Sequence, residues 1–361
     1  MQNNKPLERP LRVLMILEYA PDYRESFLKQ LAENCDLTVV AQPCESANLQ
    51  APVIRGRYKY IEISSRRKFG LNWQNKLSTI FRESNWDVIS VSSNLRYVSR
   101  IWIYLTNWNL RQKWVWRGQI CGTKNNRLAL YVKALLFSLS GYVLTYSKIE
   151  QERLALVCPF LKVSSFNNTE VSCTEFRYSP FLSLEKINLL FVGRNQLRKK
   201  LERLIPLLEE LDFINLRLIG PGMSELELPD TLIQMGRIEL MEGLRGEALN
   251  SHFDWAHLIV SPGHLGLMVL NASRHGKPIL IDSLSEHAPE VEVAYAAHQP
   301  FIDYSDVIQV KSFFNRIREN PDKLKAWGDA LQGYARSHYT IENMVNVHIS
   351  MFNLVAQKAV K

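Results

Sequence analysis

The chain has 361 residues, 46% apolar and 22% charged, with 44 Lys and Arg against 36 Asp and Glu for a formal net charge of +8. That length suits two domains, each burying its own core, and the composition excludes a disordered or collagen-like chain. Five cysteines (Cys35, Cys44, Cys121, Cys158, Cys173) are spread without metal-type pairing, which argues against a disulfide framework or a zinc site and for reduced thiols in a cytoplasm.

The opening MQNNKPLERP has no apolar run before its prolines and reads as a loose leader, neither signal peptide nor anchor. LRVLMIL (Leu11 to Leu17) begins an alternation of strands and helices. A loop with Pro21, the helix YRESFLKQLAEN and the strand LTVVA come next, then strands WDVISVSS, KWVWRG and YVLTY. Such a βαβ series predicts a parallel sheet with helices on both faces. LALYVKALLFSLSGYVLTY (Leu128 to Tyr146) approaches the length that crosses a bilayer, but Lys133 and Gly141 interrupt it. A helix over about 128–139, a turn at Gly141, a buried strand and a helix started by Ser147 account for the same letters; a helix lying in a membrane interface is the other reading.

A polar stretch, FNNTEVSCTEFRYSPFLSL (Phe166 to Leu184), places a domain boundary. We expect an N-terminal domain over 1–170, a linker over 171–185, a second domain over 186–335 and a terminal helical segment over 336–361 that ties back to the first lobe. In the second domain INLLFVGR, LRLIG, IQMGR, HLIVSPG and PILIDS recur as strands, the first followed by a helix to about Leu211. Beyond Pro300 the pattern is helical, closing on a helix capped by Thr340 with Glu342 in its first turn. The fold class is therefore α/β, two Rossmann-like parallel-sheet domains facing a cleft, since open α/β sheets bind ligands at their carboxyl ends.

Charge is unevenly distributed. Residues 1–170 hold 24 Lys and Arg against 13 Asp and Glu, whereas 171–361 hold 20 against 23. Arg55, Arg57, Lys59, Arg66, Arg67 and Lys68 lie among Tyr58, Tyr60 and Phe69, and Trp102, Trp108, Trp114 and Trp116 recur among Arg100, Arg111 and Lys113. Cations with interfacial aromatics suit an anionic membrane surface as a partner, and a merely solvated basic face fits equally. Nucleic acid is not expected as a partner, because no zinc-finger, RNP or homeodomain spacing is present.

The segment with most chemistry is SPGHLGLMVLNASRHGKP (Ser261 to Pro278), a glycine loop, a helix and a second glycine turn between two strands, as α/β proteins use to hold a diphosphate. Gly193 and Arg194 end the first strand of the second domain, and Lys199 and Lys200 open the element after it. An Arg fork and a Lys point charge there would neutralise a leaving diphosphate.

These residues resemble the group 1, or family 4, retaining glycosyltransferases of the GT-B fold. FVGRNQLRKKLERLI is similar to that family's strand, GR, K and helix segment, LRLIGPG to its second strand and glycine turn, and MGRI (Met235 to Ile238) to a short strand near the nucleotide base. SPGHLGLMVLNASRHGKPILID resembles the donor loop and helix of a polysaccharide-assembly subgroup with PGxxGL, EYAPDYRESFLKQL its first loop and helix, and SHYTIENMV its closing helix. The resemblance implies transfer of a hexose from a nucleotide-diphosphate sugar to a glycan or lipid-linked acceptor, in surface polysaccharide synthesis. The scattered cysteines and the basic first half place the expected protein in the cytoplasm or peripherally on the inner membrane face. The resemblance also implies Arg194 and Lys199 as diphosphate-binding catalytic groups; Asp22 and Arg24, in the first loop facing the expected cleft, are the candidates on the acceptor side. Gly193, Lys200, Gly236, Gly263, His264, Gly266, Leu267, Asn271 and Glu292 would hold the donor.

Several positions depart from the pattern. Lys200 stands where glycine is usual, and Gly263 and Asn271 occupy the places of two glutamates that touch the transferred sugar and the ribose. Glu290 or Glu292, in PEVE, is a replacement carboxylate or equally a plain helix start; His264 is a donor contact or a surface histidine. The subgroup's Trp-Gly-His-Gly segment is replaced by Trp116, Arg117, Gly118 and Gln119. All eight histidines lie beyond residue 250, so the first domain holds none. An inverting reaction would need a base there, Glu18 or Asp22, whereas a retaining reaction lets the leaving phosphate take the proton; retention is therefore expected. No clustered carboxylates ask for a divalent ion, so metal-independent chemistry without a cofactor is expected. A non-catalytic nucleotide-sugar-binding partner and a nucleotide-sugar 2-epimerase are the alternatives.

Overall fold

A computed structural model of the protein describes residues 9–47, 49–83, 85–120, 127–180, 185–244 and 246–359. The opening leader up to residue 8, Cys121 and linker residues 181–184 lie outside the described residues. The chain forms two compact units, one of residues 1–170 with 341–361 and one of residues 171–340. Each is an α/β unit on a parallel sheet, the fold class the alternating pattern predicts.

In the first unit, β1 (Arg12–Tyr19), β2 (Asp36–Gln42) and β3 (Lys59–Glu62) share one sheet with β6 (Val88–Ser92), β7 (Trp114–Gly118), β8 (Tyr142–Thr145) and β9 (Lys162–Ser165). The order across it is β3-β2-β1-β6-β7-β8-β9. A separate antiparallel pair, β4 (Ser65–Lys68) and β5 (Leu71–Gln74), forms a hairpin. Because strand side chains alternate faces, β1 feeds two cores. Val13 and Met15 pack with Phe27, Leu31 and, from the helix Ile341–Ala359, Phe352 and Val355. Leu14 and Ile16 pack with Ile80, Trp114, Trp116 and Phe137.

Two readings of the first half change here. Trp114 and Trp116, read as surface aromatics, are 0% and 1% exposed on β7, and Trp116 packs its ring 5.0 Å from Tyr104. Their i, i+2 spacing on a central strand aims both at one core, whatever the charge of their neighbours. The last helix also brings His348 into this unit's core, so the first unit is not without histidine. Residues 128–146 take the helix-turn-strand form: a helix Arg127–Ser138, Gly141 at φ +88°, and β8; Ser147 then caps the helix Lys148–Val157 by accepting from the Glu150 N–H. Among the described residues no helix is long and apolar enough to cross a membrane.

In the second unit, β10 (Ile187–Val192), β11 (Ile214–Ile219), β12 (Ile238–Met241), β13 (Leu258–Ser261), β14 (Ile279–Asp282) and β15 (Phe301–Ile302) run in the order β12-β11-β10-β13-β14-β15. IQMGR is not a strand: Asp230–Gln234 is helical and β12 begins only at Ile238, after a turn at Gly236. The expected long helix after β10 is instead two 3-10 turns and a short helix, Ile205–Glu210, with Pro206 at its start.

The carboxyl ends of β10 and β11 approach so closely that Gly220, at φ +151°, could not carry a Cβ without placing it 1.8 Å from the Gly193 carbonyl oxygen. Gly220→Ala is therefore expected to destabilise this unit by about 4 kcal/mol or more, measured as a fall in denaturant midpoint. A loss below about 1 kcal/mol would show that the two strand ends can part.

Candidate functional site

The sheet of the second unit sends its loops out at the carboxyl ends of β10, β11, β13 and β14. Arg194 follows β10, and neither a hydrogen bond nor an ion pair commits its side chain among the described residues. Lys199 sits in the 3-10 turn Leu197–Lys199, half-buried, and donates from Nζ to the His264 carbonyl oxygen at 2.7 Å. Burial, with the nearby Arg198 charge adding to it, pulls the Lys199 ammonium down to about 8. Two cations without carboxylate partners thus stand beside one strand end, the arrangement an anionic ligand requires.

Lys200 is different. It adopts a left-handed conformation (φ +52°), which is why glycine suits the position, and its Nζ reaches Ser285 Oγ at 2.9 Å and Asp282 at 3.7 Å. Arg203 joins the same fully buried carboxylate at 3.2 Å, so the Lys200 charge is spent within the unit. Glu290 and Glu292 are both buried. Burial and the Glu292 charge push up the Tyr339 hydroxyl. Glu292 opens the helix Glu292–Ala296, which packs on the helix Asp322–His338 that Tyr339 caps.

The loop after β13 packs directly on the turn that carries Lys199. The His264 N–H donates to Arg198 O at 2.8 Å, and a Cβ on Gly263 would meet Arg198 O at 2.4 Å and the Lys199 carbonyl at 2.7 Å. No side chain fits at residue 263 in this packing, which explains physically why a glutamate is absent. His264 donates from Nδ1 to the Glu286 carbonyl at 2.7 Å, and burial pushes its imidazole down to about 4. It is neutral at physiological pH, with Nε2 left as an acceptor. His287 fixes the loop from behind: Nδ1 accepts from the Leu265 N–H at 3.1 Å while Nε2 donates to Asp282 O at 2.8 Å. Gly266 has only Ala288 Cβ within reach of a Cβ, at 4.0 Å, and Leu267 leads into the helix Met268–Arg274, which carries half-buried Asn271.

Gly236 lies at the amino end of β12, the opposite end of the sheet from these loops. The carboxyl end of that strand carries residues the sequence reading missed. Glu242 accepts from Gly222 N at 3.3 Å and Ser224 Oγ at 2.9 Å, a Cβ on Gly243 would meet the Pro221 ring at 3.2 Å, and Asn195 Nδ2 donates to Gly222 O at 3.0 Å. The signal available was strand direction: in a parallel sheet, residues after an apolar run face the ligand and residues before it do not.

The first unit contains a cavity of about 1020 Å³ at the carboxyl ends of β1, β6 and β7. Its wall carries Arg24, Arg96, Arg117 and Lys133 against a single carboxylate among the described residues, Glu18, which accepts from Ser92 Oγ at 3.0 Å. Asp22 lies in the adjoining 3-10 turn, accepting from the Tyr23 N–H at 2.9 Å, and is not on that wall. Leu71, Leu128 and Val132 form an exposed apolar lip. Among the described residues no group of three or more His, Cys, Asp or Glu could hold a metal ion.

No family model matches the chain. No curated protein matches it either. Solved structures do. A glycosyltransferase from Rickettsia africae superposes with a TM-score of 0.70 at 11% identity, covering 96% of this chain and 98% of that one. Anabaena HepE in complex with UDP gives 0.68 at 12%, covering 95% and 100%. Sucrose-phosphate synthase from Thermosynechococcus elongatus gives 0.64 at 15%, covering 95% and 98%. The likeness is one of fold: the chain has the two Rossmann-like units of GT-B proteins.

Proposed function

We propose that the protein is a glycosyltransferase that moves a hexosyl group from a nucleotide-diphosphate sugar to a glycan or lipid-linked acceptor, with retention of configuration, in surface polysaccharide synthesis. The observation that carries the reading is the pair Arg194 and Lys199, uncompensated cations at a strand end where Gly193 and Gly220 leave the backbone bare. Solved relatives in fold hold UDP and UDP-glucose.

In this reaction the bond between the anomeric carbon and the diphosphate oxygen breaks, and its electrons stay on the leaving phosphate. Lys199 and Arg194 stabilise that growing negative charge. The acceptor hydroxyl oxygen bonds to the same face of the anomeric carbon and its proton passes to the departing phosphate oxygen. No protein base is needed, which suits a first unit whose one buried imidazole, His348, is already engaged with Arg117 and Met344. Neutral His264 offers Nε2 to a sugar hydroxyl. The cavity of the first unit is the acceptor site in this scheme.

UDP-glucose is the first donor to try. It should raise the melting temperature and, with an acceptor, release UDP at a rate unchanged by EDTA, with the product anomer read by NMR. If no nucleotide-sugar stabilises the protein, the reading falls. Stabilisation with neither hydrolysis nor transfer supports the second reading, a binding partner without catalysis, which the sealed Gly263 position favours.

The proposal includes association with an anionic membrane. The hairpin β4–β5 exposes Arg66, Arg67 and Lys68 and turns through Phe69 (φ +49°) and Gly70 (φ +76°), leaving Phe69 92% exposed at its tip. An exposed aromatic at a turn tip beside three exposed cations is the combination that seats at an anionic interface, the ring in the headgroup–acyl boundary and the cations on the headgroups. Reversing Arg66 and Arg67 to Glu should weaken sedimentation with phosphatidylglycerol vesicles by more than tenfold, at about 1 kcal/mol per charge, and salt should mimic it. Equal binding to neutral vesicles would refute this role.

A further inference from the structure

The acceptor-side cavity contains a cation that the transfer chemistry does not use. Arg117 stands at the carboxyl end of β7, on the cavity wall, and is only 4% exposed. Its Nε donates to His348 Nε2 at 3.0 Å, and its guanidinium lies 5.0 Å from the Phe166 ring and 5.4 Å from that of Phe27. His348 is fixed as the neutral acceptor, because its Nδ1 faces the Met344 carbonyl at 2.7 Å and a carbonyl can only accept. Among the described residues Arg117 has no carboxylate within ion-pair distance, and its buried Nη2 has no hydrogen-bond partner. Burial, with Arg24 nearby, lowers it to about 10, so it is still charged at neutral pH.

A buried guanidinium with an idle donor and no counter-charge is costly in an unliganded fold. Arg24 shares the wall, donating to Asn168 Oδ1 at 2.6 Å and Tyr146 Oη at 3.3 Å. Two forks at the end of a cavity suit a phosphate, which accepts from both. The lip points to what carries that phosphate. Leu128, Tyr131, Val132 and Leu135 are all exposed on the helix Arg127–Ser138 at i, i+3, i+4 and i+7, so one apolar stripe runs along the helix from the cavity lip, with Leu71 exposed beside it.

We infer that the acceptor is a phosphate-bearing amphiphile whose phosphate docks on Arg117 and Arg24 inside the cavity and whose apolar chain leaves over Leu71 and along the stripe from Leu128 to Leu135. This rests on the reading of the cavity as the acceptor site and narrows it to one substrate class.

The test is calorimetric titration of the full chain, without nucleotide, using farnesyl phosphate, farnesol and inorganic phosphate. Farnesyl phosphate should bind at least tenfold tighter than either fragment. Arg117→Gln should weaken it at least tenfold, and Arg24→Gln, at a less buried position, should weaken it several-fold even if the first variant folds poorly. Leu128→Ser with Leu135→Ser should cost several-fold for farnesyl phosphate and leave inorganic phosphate unchanged, and Lys199→Ala, in the second unit, should leave the farnesyl phosphate affinity where it was while weakening UDP-glucose. Inorganic phosphate binding as tightly as farnesyl phosphate would make this a plain anion site and overturn the proposal. So would an absence of binding, or binding lost in Lys199→Ala and kept in both arginine variants. UDP-glucose titrated into the same preparation reports on the second unit separately, so either reading can fail alone.

Discussion

Lys199→Ala is expected to reduce turnover by about 100- to 1,000-fold, the usual cost of removing one charge-stabilising donor, or roughly 2.7–4 kcal/mol of barrier. The same change removes a 2.7 Å hydrogen bond to His264 O and should cost only about 1 kcal/mol of fold stability. The two readouts therefore separate, and Lys199→Arg, which keeps the charge, should recover part of the rate. The pH dependence follows from the depressed ammonium. With its pKa lowered to about 8, Lys199 carries its charge below that pH and loses it above. A diphosphate binds the charged form, so affinity for UDP should be full near pH 6.5 and fall through pH 8, at roughly tenfold per unit, until the pKa of the complex is passed. Titration at pH 8.5 in buffers of different ionisation enthalpy should show proton uptake on binding. Turnover within threefold of the parent, or an affinity flat from pH 7 to 9.5, would remove Lys199 from the diphosphate site.

The two-unit fold was legible because its strands are central and parallel, so their apolar runs are long enough to stand out: Val13 to Leu17, Leu189 to Phe191 and Leu258 to Val260 are each buried on both faces. Shorter elements were not. The hairpin Ser65–Gln74 has no apolar alternation, and β15 has two residues. At the candidate site, Arg194, Lys199 and the Gly263 loop were legible because strand-end glycines and cations are close in sequence. Asp282 neutralising Lys200 from 82 positions away was not, nor was His348 orienting Arg117 across 231. Those pairings exist only once strand order is known. Gly236 is the reverse case: the motif match singled it out, but it lies at the amino end of β12, and the residues at the carboxyl end, where Arg194 and Lys199 also follow their strand, are Glu242 and Gly243.

Gly263→Glu, which restores the residue type found in the resembled family, is expected to harm the protein. The Gly263 Cα faces the backbone of the turn that carries Lys199, where a Cβ would sit 2.4 Å from Arg198 O. Backbone atoms cannot rotate away as a side-chain tip can, so the Leu197–Lys199 turn must shift, and Lys199 with it. Misplacing a charge-stabilising group by about 1 Å costs roughly 100-fold in rate, and overpacking costs about 1–3 kcal/mol in stability. The decisive comparison is Gly263→Ala. If the Cβ is the fault, alanine should lower kcat/KM for UDP-glucose and the melting temperature almost as much as glutamate does. If the absent carboxylate were the defect, alanine would be neutral and glutamate would raise turnover. An active, stable Gly263→Glu would mean that the two loops separate easily. Its failure alongside alanine would show that the packing of the His264 loop against the turn bearing Lys199 excludes any side chain at residue 263.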